Sequence, residues 1–97
     1  MMKIHNQATP LMWTNSVGGN GLRDYVGTVV AFRPTETLHP YVVWDTASDD
    51  GEYYDCSSGD YCITLAEATE IFARRASWLA GNLLATESIK RKEKVNG

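Results

Sequence analysis

Cys56 and Cys62, with five residues between them, are the side chains of this chain best suited to covalent or metal chemistry. A nucleophilic thiol needs a base within hydrogen-bond reach, and the two histidines, His5 and His39, have no sequence placement that supplies one. A structural zinc site needs about four ligands, and neither a second Cys pair nor a nearby His pair is present. The acid-rich run Asp45-Thr-Ala-Ser-Asp49-Asp50-Gly51 invites a calcium reading. Aligning Gly51 with the glycine of a calcium loop puts Thr46 at its first ligand position and Ser57 at its last, where the ion wants Asp and a bidentate Glu. Gly18-Gly19-Asn20-Gly21 lacks the Lys and the strand-to-helix setting of a phosphate loop. No residue set therefore defines a reaction, and the expectation is a non-enzymatic protein with no catalytic residue, metal or cofactor.

The elements that must carry these residues belong to one small domain of 97 residues. Ten aromatic residues argue against disorder. No apolar run approaches the roughly 20 residues that cross a bilayer, and Met1 to Asn6 lacks a signal peptide's apolar stretch. These features predict a soluble protein of the cytoplasm with no membrane partner.

The net charge of −3 hides two poles. Every charged residue from 34 to 73 is acidic: Glu36, Asp45, Asp49, Asp50, Glu52, Asp55, Asp60, Glu67 and Glu70. Residues 74–97 are basic on balance, through Arg74, Arg75, Lys90, Arg91, Lys92 and Lys94. The basic clusters lie apart, whereas nucleic-acid binding needs several phosphates neutralised together. No nucleic-acid partner is expected.

Tyr25 to Arg33 and Tyr41 to Thr46 are rich in β-branched and aromatic residues and read as central strands. Pro10 to Thr14 reads as a short edge strand, in a segment 1–24 otherwise expected to be mobile, with its glycine-rich stretch a loop. Asp50-Gly51 marks a hairpin, Glu52 to Cys56 its return strand, Ser57 to Asp60 a second turn and Tyr61 to Ile63 a last strand. Cys56 faces Cys62 if that turn has three loop residues and not if it has four. Thr64-Leu-Ala-Glu67 has the form of a capping box. A helix over 65–85 follows, with Leu65, Ala68, Phe72, Ala76, Leu79 and Leu83 as its core stripe and 90–97 as a frayed basic tail. Ile71, Trp78 and Ile89 fall off that stripe and form a candidate self-association flank. The resulting fold class is α+β, an antiparallel meander of three to five strands packed by one C-terminal helix. A strongly bent barrel kinked at Gly27 is the alternative.

The stretch from Pro40 to Arg75 resembles small uncharacterised proteins of actinobacterial phages. The likeness rests on Tyr41-Val42-Val43-Trp44, on the two steps Gly51-Glu52-Tyr53 and Gly59-Asp60-Tyr61, and on Leu65, Ala68, Phe72 and Arg75. It implies a phage origin and a host bacterial cytoplasm, and supports fold more than activity. The two Gly-x-Tyr steps read as repeated hairpin geometry that places Tyr53 and Tyr61 on the sheet.

The leading functional expectation is a phage accessory protein that binds a protein partner through an acidic, tyrosine-rich hairpin surface. Its candidate contacts are Asp45, Asp49, Asp50, Glu52, Tyr53, Tyr54, Asp55, Asp60 and Tyr61. Tyrosine supplies rigid contact area and the acids supply steering. A homodimer through the Ile71, Trp78 and Ile89 flank, and an acidic mimic of DNA, are the alternatives.

Overall fold

The computed structural model of the chain describes residues 2–4, 7–17 and 24–79, excluding the side chains of 15–17. The expected loop at Gly18–Gly21, His5, Ile89 and the expected basic tail lie outside the described residues, as do residues 80–85 of the expected helix.

Five strands form one sheet: β1 (Lys3–Ile4), β2 (Thr9–Val17), β3 (Tyr25–Phe32), β4 (Tyr41–Ser48) and β5 (Tyr53–Cys62). Their order is β1-β5-β4-β3-β2. The run from β2 to β5 is an antiparallel meander, and β1 adds a parallel edge on β5. The expected α+β class holds, with a mixed rather than purely antiparallel sheet. Segment 1–24 contributes β1 and the nine-residue β2, where only a short edge strand was expected.

Connectivity makes the sheet curl. β1 and β2 occupy opposite edges, so a flat sheet would hold them about 19 Å apart. The chain from Ile4 to Thr9 reaches only about 17 Å when fully extended, yet the two strands are in contact. Gly27 permits part of this bend: a Cβ there would lie 2.0 Å from the Thr14 carbonyl oxygen.

Alternation along the central strands gives the sheet two apolar faces. The inner face gathers Val29, Ala31, Val42, Trp44 and Tyr54, covered by Met2 and flanked by Ile4, Ala8, Tyr25 and Cys56. The opposite face gathers Val30, Val43 and Cys62 beneath Ala68 of the C-terminal helix α1, described over 65–79, with Met12, Tyr41, Ile71 and Phe72 at its margin. Between the faces, the buried Thr28 hydroxyl donates to the Trp44 carbonyl at 3.0 Å, and its amide donates to Thr14 Oγ1 at 3.1 Å.

Helix α1 starts at the predicted cap, where the Glu67 amide donates to Thr64 Oγ1 at 3.2 Å. Its contact stripe is rotated about 50° from the expected one. Ala68, Ile71, Phe72 and Arg75 face the sheet, while Leu65 is exposed. Ile71, expected off the stripe, packs against the core, and the same rotation carries Arg75 to the sheet acids.

β5 corrects the second expected turn. It runs unbroken from Tyr53 to Cys62 and absorbs Ser58 and Gly59 as a bulge opposite Trp44, where the register shifts between Val43 and Asp45. Ser58 adopts a positive φ of 54° there. Without the bulge, Cys56 and Cys62 would share a face. The extra residue sends Cys56 to the inner face and Cys62 to the helix face. They are separated by five steps of the paired strand β4, about 17 Å, beyond the span of a disulfide, and both are free thiols.

Candidate interaction surface

The nine candidate contact residues separate into four places. Asp49, Asp50, Glu52 and Tyr53 sit on or beside the β4–β5 hairpin tip. Asp45, Asp55 and Asp60 belong to the helix face by register, opposite or beside Thr28, Ala47 and Val43. Tyr61 projects from the far end of β5, opposite Val42. Tyr54 is not a surface residue at all: it is 1% exposed within the inner core, and its hydroxyl donates to the Gly51 carbonyl at 3.3 Å. Its neighbour Tyr53 is 51% exposed, since successive strand residues point to opposite faces.

The hairpin tip is held by side-chain bonds that its sequence supplies. Asp50 Oδ1 accepts from the amides of Glu52 at 2.8 Å and Tyr53 at 3.0 Å, and from the Ser48 hydroxyl at 2.9 Å. Ser48 Oγ in turn accepts from the Asp50 amide at 3.3 Å and the Gly51 amide at 3.0 Å. Gly51 makes the reversal with φ 76°, a conformation costly for other residues. These bonds to the ionised form hold the Asp50 carboxyl below its ordinary 3.8. β1 buttresses the same tip. The Lys3 amide donates to the Glu52 carbonyl at 2.8 Å, Lys3 Nζ pairs with Glu52 Oε1 at 2.7 Å, and that ammonium lies 5.2 Å from the Tyr53 ring centroid. The hydrogen bond and charge of Glu52 raise the Lys3 pKa above 10.5.

The acids of the helix face are engaged differently. Arg75 Nη1 pairs with Asp45 at 3.0 Å, and Nη2 pairs with Asp60 at 2.7 Å and donates to the Ser58 carbonyl at 2.7 Å. One guanidinium thus ties α1 to β4, to β5 and to the bulge between them. The acidic middle of the chain is partly neutralised by cations drawn from both flanking segments. Lys3 meets Glu52, Arg75 meets Asp45 and Asp60, and Arg33 lies 4.0 Å from Glu36. Sequence reasoning missed Lys3 and Arg75 as partners, although the opposite charge of the two chain ends was the available signal.

At the opposite end of the sheet, Arg33 stacks over the Tyr61 ring at 4.4 Å and donates to the His39 carbonyl at 2.7 Å. Tyr61 and Tyr53 therefore do not form one surface, despite their matching Gly-x-Tyr context. On the proposed self-association flank, Trp78 is 71% exposed while Ile71 is packed against the core, so the two do not form one exposed stripe.

The thiols are held in their neutral form. Burial, reinforced by Asp55, pushes Cys56 up to about 11, and burial with Glu67 and Asp60 raises Cys62. Among the described residues, no three His, Cys, Asp or Glu side chains group as metal ligands, and no helix is long and apolar enough to cross a membrane.

Fold and surface together define a small α+β domain built on a curled five-stranded mixed sheet with one helix on its outer face. No family model, curated protein or solved structure matches this chain.

Proposed function

We propose that this chain is a non-enzymatic binding protein, an accessory protein in the phage setting its sequence resembles, that engages a protein partner through the β4–β5 hairpin tip. The observation that carries this reading is the half-exposed Tyr53, mounted on a turn pinned from within by Asp50 and Ser48 and from outside by Lys3. A rigid aromatic presented on a pre-ordered turn loses little conformational freedom on binding. Asp49 and Asp55 flank it with exposed negative charge, which favours a basic partner and speeds encounter. Asp45 and Asp60 are paired with Arg75, and Glu52 with Lys3, so these three acids serve the fold. This pairing also interrupts the array that a mimic of DNA phosphates requires. The proposed contacts centre on the exposed Tyr53 and the exposed side chains of Asp49 and Asp55 beside it, with Asp50 holding the turn.

Capture from host lysate on immobilised protein tests this. A partner recovered by wild type and lost by the variant Asp49→Asn, Tyr53→Ala, Asp55→Asn, with an unchanged melting temperature, supports the hairpin tip. Equal recovery by that variant overturns it.

A further inference from the structure

The two edges of the sheet are finished in opposite ways. The β5 edge is partly covered by β1 at Tyr53 and Tyr54, interrupted by the bulge at Ser58 and Gly59, and charged at Asp55 and Asp60. Short cover, bulges and charges are how sheets protect an edge from pairing with another chain. β2, the other edge, has nine residues and carries no charged side chain. At about 3.3 Å per residue it extends about 30 Å, longer than the usual five or six residues of a strand. β3 takes one side of its backbone, and among the described residues no strand pairs with the other side. Pro10 and the register shift between Pro10 and Met12 protect its start, and the two-residue β1 touches it without pairing with it.

We propose that β2 pairs antiparallel with β2 of a second copy of this chain, giving a two-fold dimer with one sheet running through both protomers. Three observations select a second copy. An antiparallel strand meeting itself about a two-fold axis is self-complementary, since each backbone donor and acceptor on one copy finds its counterpart on the other. The absence of charge from Thr9 to Val17 means that no like charges are brought together when the strand meets itself. The middle residue of β2 is Trp13, 39% exposed and on the inner face opposite Val29. Pairing about the strand centre brings the two indoles next to the axis, where cross-strand aromatic pairs stabilise sheets. This edge is separated from the β4–β5 hairpin by β3 in the strand order, and the dimer does not depend on the proposed partner site.

Sedimentation velocity of the full chain from about 1 to 200 µM tests the pairing, together with amide hydrogen exchange. Wild type is expected to dimerise, with amides in 12–17 gaining protection as concentration rises and those of 49–52 unchanged. Trp13→Lys and Trp13→Glu should each weaken association at least tenfold by placing like charges near the axis, and an equimolar mixture should regain it. Leu11→Lys, at an exposed position of the same edge, provides a second variant if the Trp13 substitutions disturb folding. A wild type that stays monomeric with unchanged exchange in β2 overturns the proposal. So does a dimer that survives every edge variant but dissolves on Trp78→Ala, which would place the contact on the helix.

Discussion

Gly51-Glu52-Tyr53 and Gly59-Asp60-Tyr61 are near copies eight residues apart, yet one reverses the chain and the other lets it run on. At the first, Gly51 itself takes the positive φ, and the preceding Asp50 closes the turn with its own carboxylate. At the second, the residue before the glycine takes it: Ser58 has φ 54°, and Gly59 serves a different need. A Cβ on Gly59 would lie 2.8 Å from Trp44 Nε1 and 3.1 Å from the Tyr61 ring. The bulge therefore exists where the backbone must pass close to a buried indole, and Arg75 secures it by binding the Ser58 carbonyl. The lesson is that a glycine signature marks a departure from regular strand, while its surroundings decide whether that departure is a turn or a bulge. The bonds that close the first turn come from within 48–54, with Lys3 added from outside, whereas the second needs β4 and a helix residue 17 positions away.

The sharpest way to break this comparison is Gly59→Ala. Crowding the Trp44 indole in the core should lower stability by about 2–3 kcal/mol, read by chemical denaturation. Gly51→Ala tests the local site: the positive φ, together with a Tyr25 ring atom 3.0 Å from the added Cβ, should cost about 1–2 kcal/mol. If Gly51→Ala proves the more damaging of the two, the assignment of local and tertiary control is reversed. Arg75→Ala should lower stability by about 1–2 kcal/mol, since its side chain is partly shielded and serves three acceptors. Hydrogen exchange near Ser58 should rise in that variant while residues 49–52 keep their protection. Ser58→Gly should change stability by less than about 1 kcal/mol, because relief of the positive φ is offset by a more flexible unfolded chain.

The pH dependence separates the two sites as well. The Asp50 carboxyl is held below 3.8 in the folded protein, so its contribution is present above the unfolded value and is lost as pH falls through the folded one. The melting difference between wild type and Asp50→Asn should therefore shrink in acid below about pH 4. Cys56 titrates in the opposite region. Its folded value of about 11 lies above the ordinary 9.0, so the neutral thiol favours folding below pH 9 and that contribution falls away between 9 and 11. Alkylation of the native protein at pH 8 should accordingly be slow at Cys56 and fast after unfolding.

Much of the scaffold was legible because its causes are local. Tyr25–Phe32 and Tyr41–Ser48 are apolar on both faces and became central strands, and Asp50-Gly51 and the Thr64 cap behave as their chemistry requires. The acidic surface was less legible. Charge counted along the chain shows nine acids without a cation among them, but Lys3, Arg33 and Arg75 lie just outside that stretch and fold onto it. Tyr53 and Tyr54 look equivalent in sequence, and only strand register distinguishes a surface contact from a core residue.

Composition and local pattern alone determined the α+β class, its central strands, the hairpin and the start of the helix, since propensity, turn chemistry and capping act over a few residues. Tertiary structure decided the parallel β1 edge, the curl, the bulge that separates the two cysteines and the rotation of α1 that brings Arg75 to Asp45 and Asp60. Those features depend on which distant segments share space, and spacing along the chain carries no record of that.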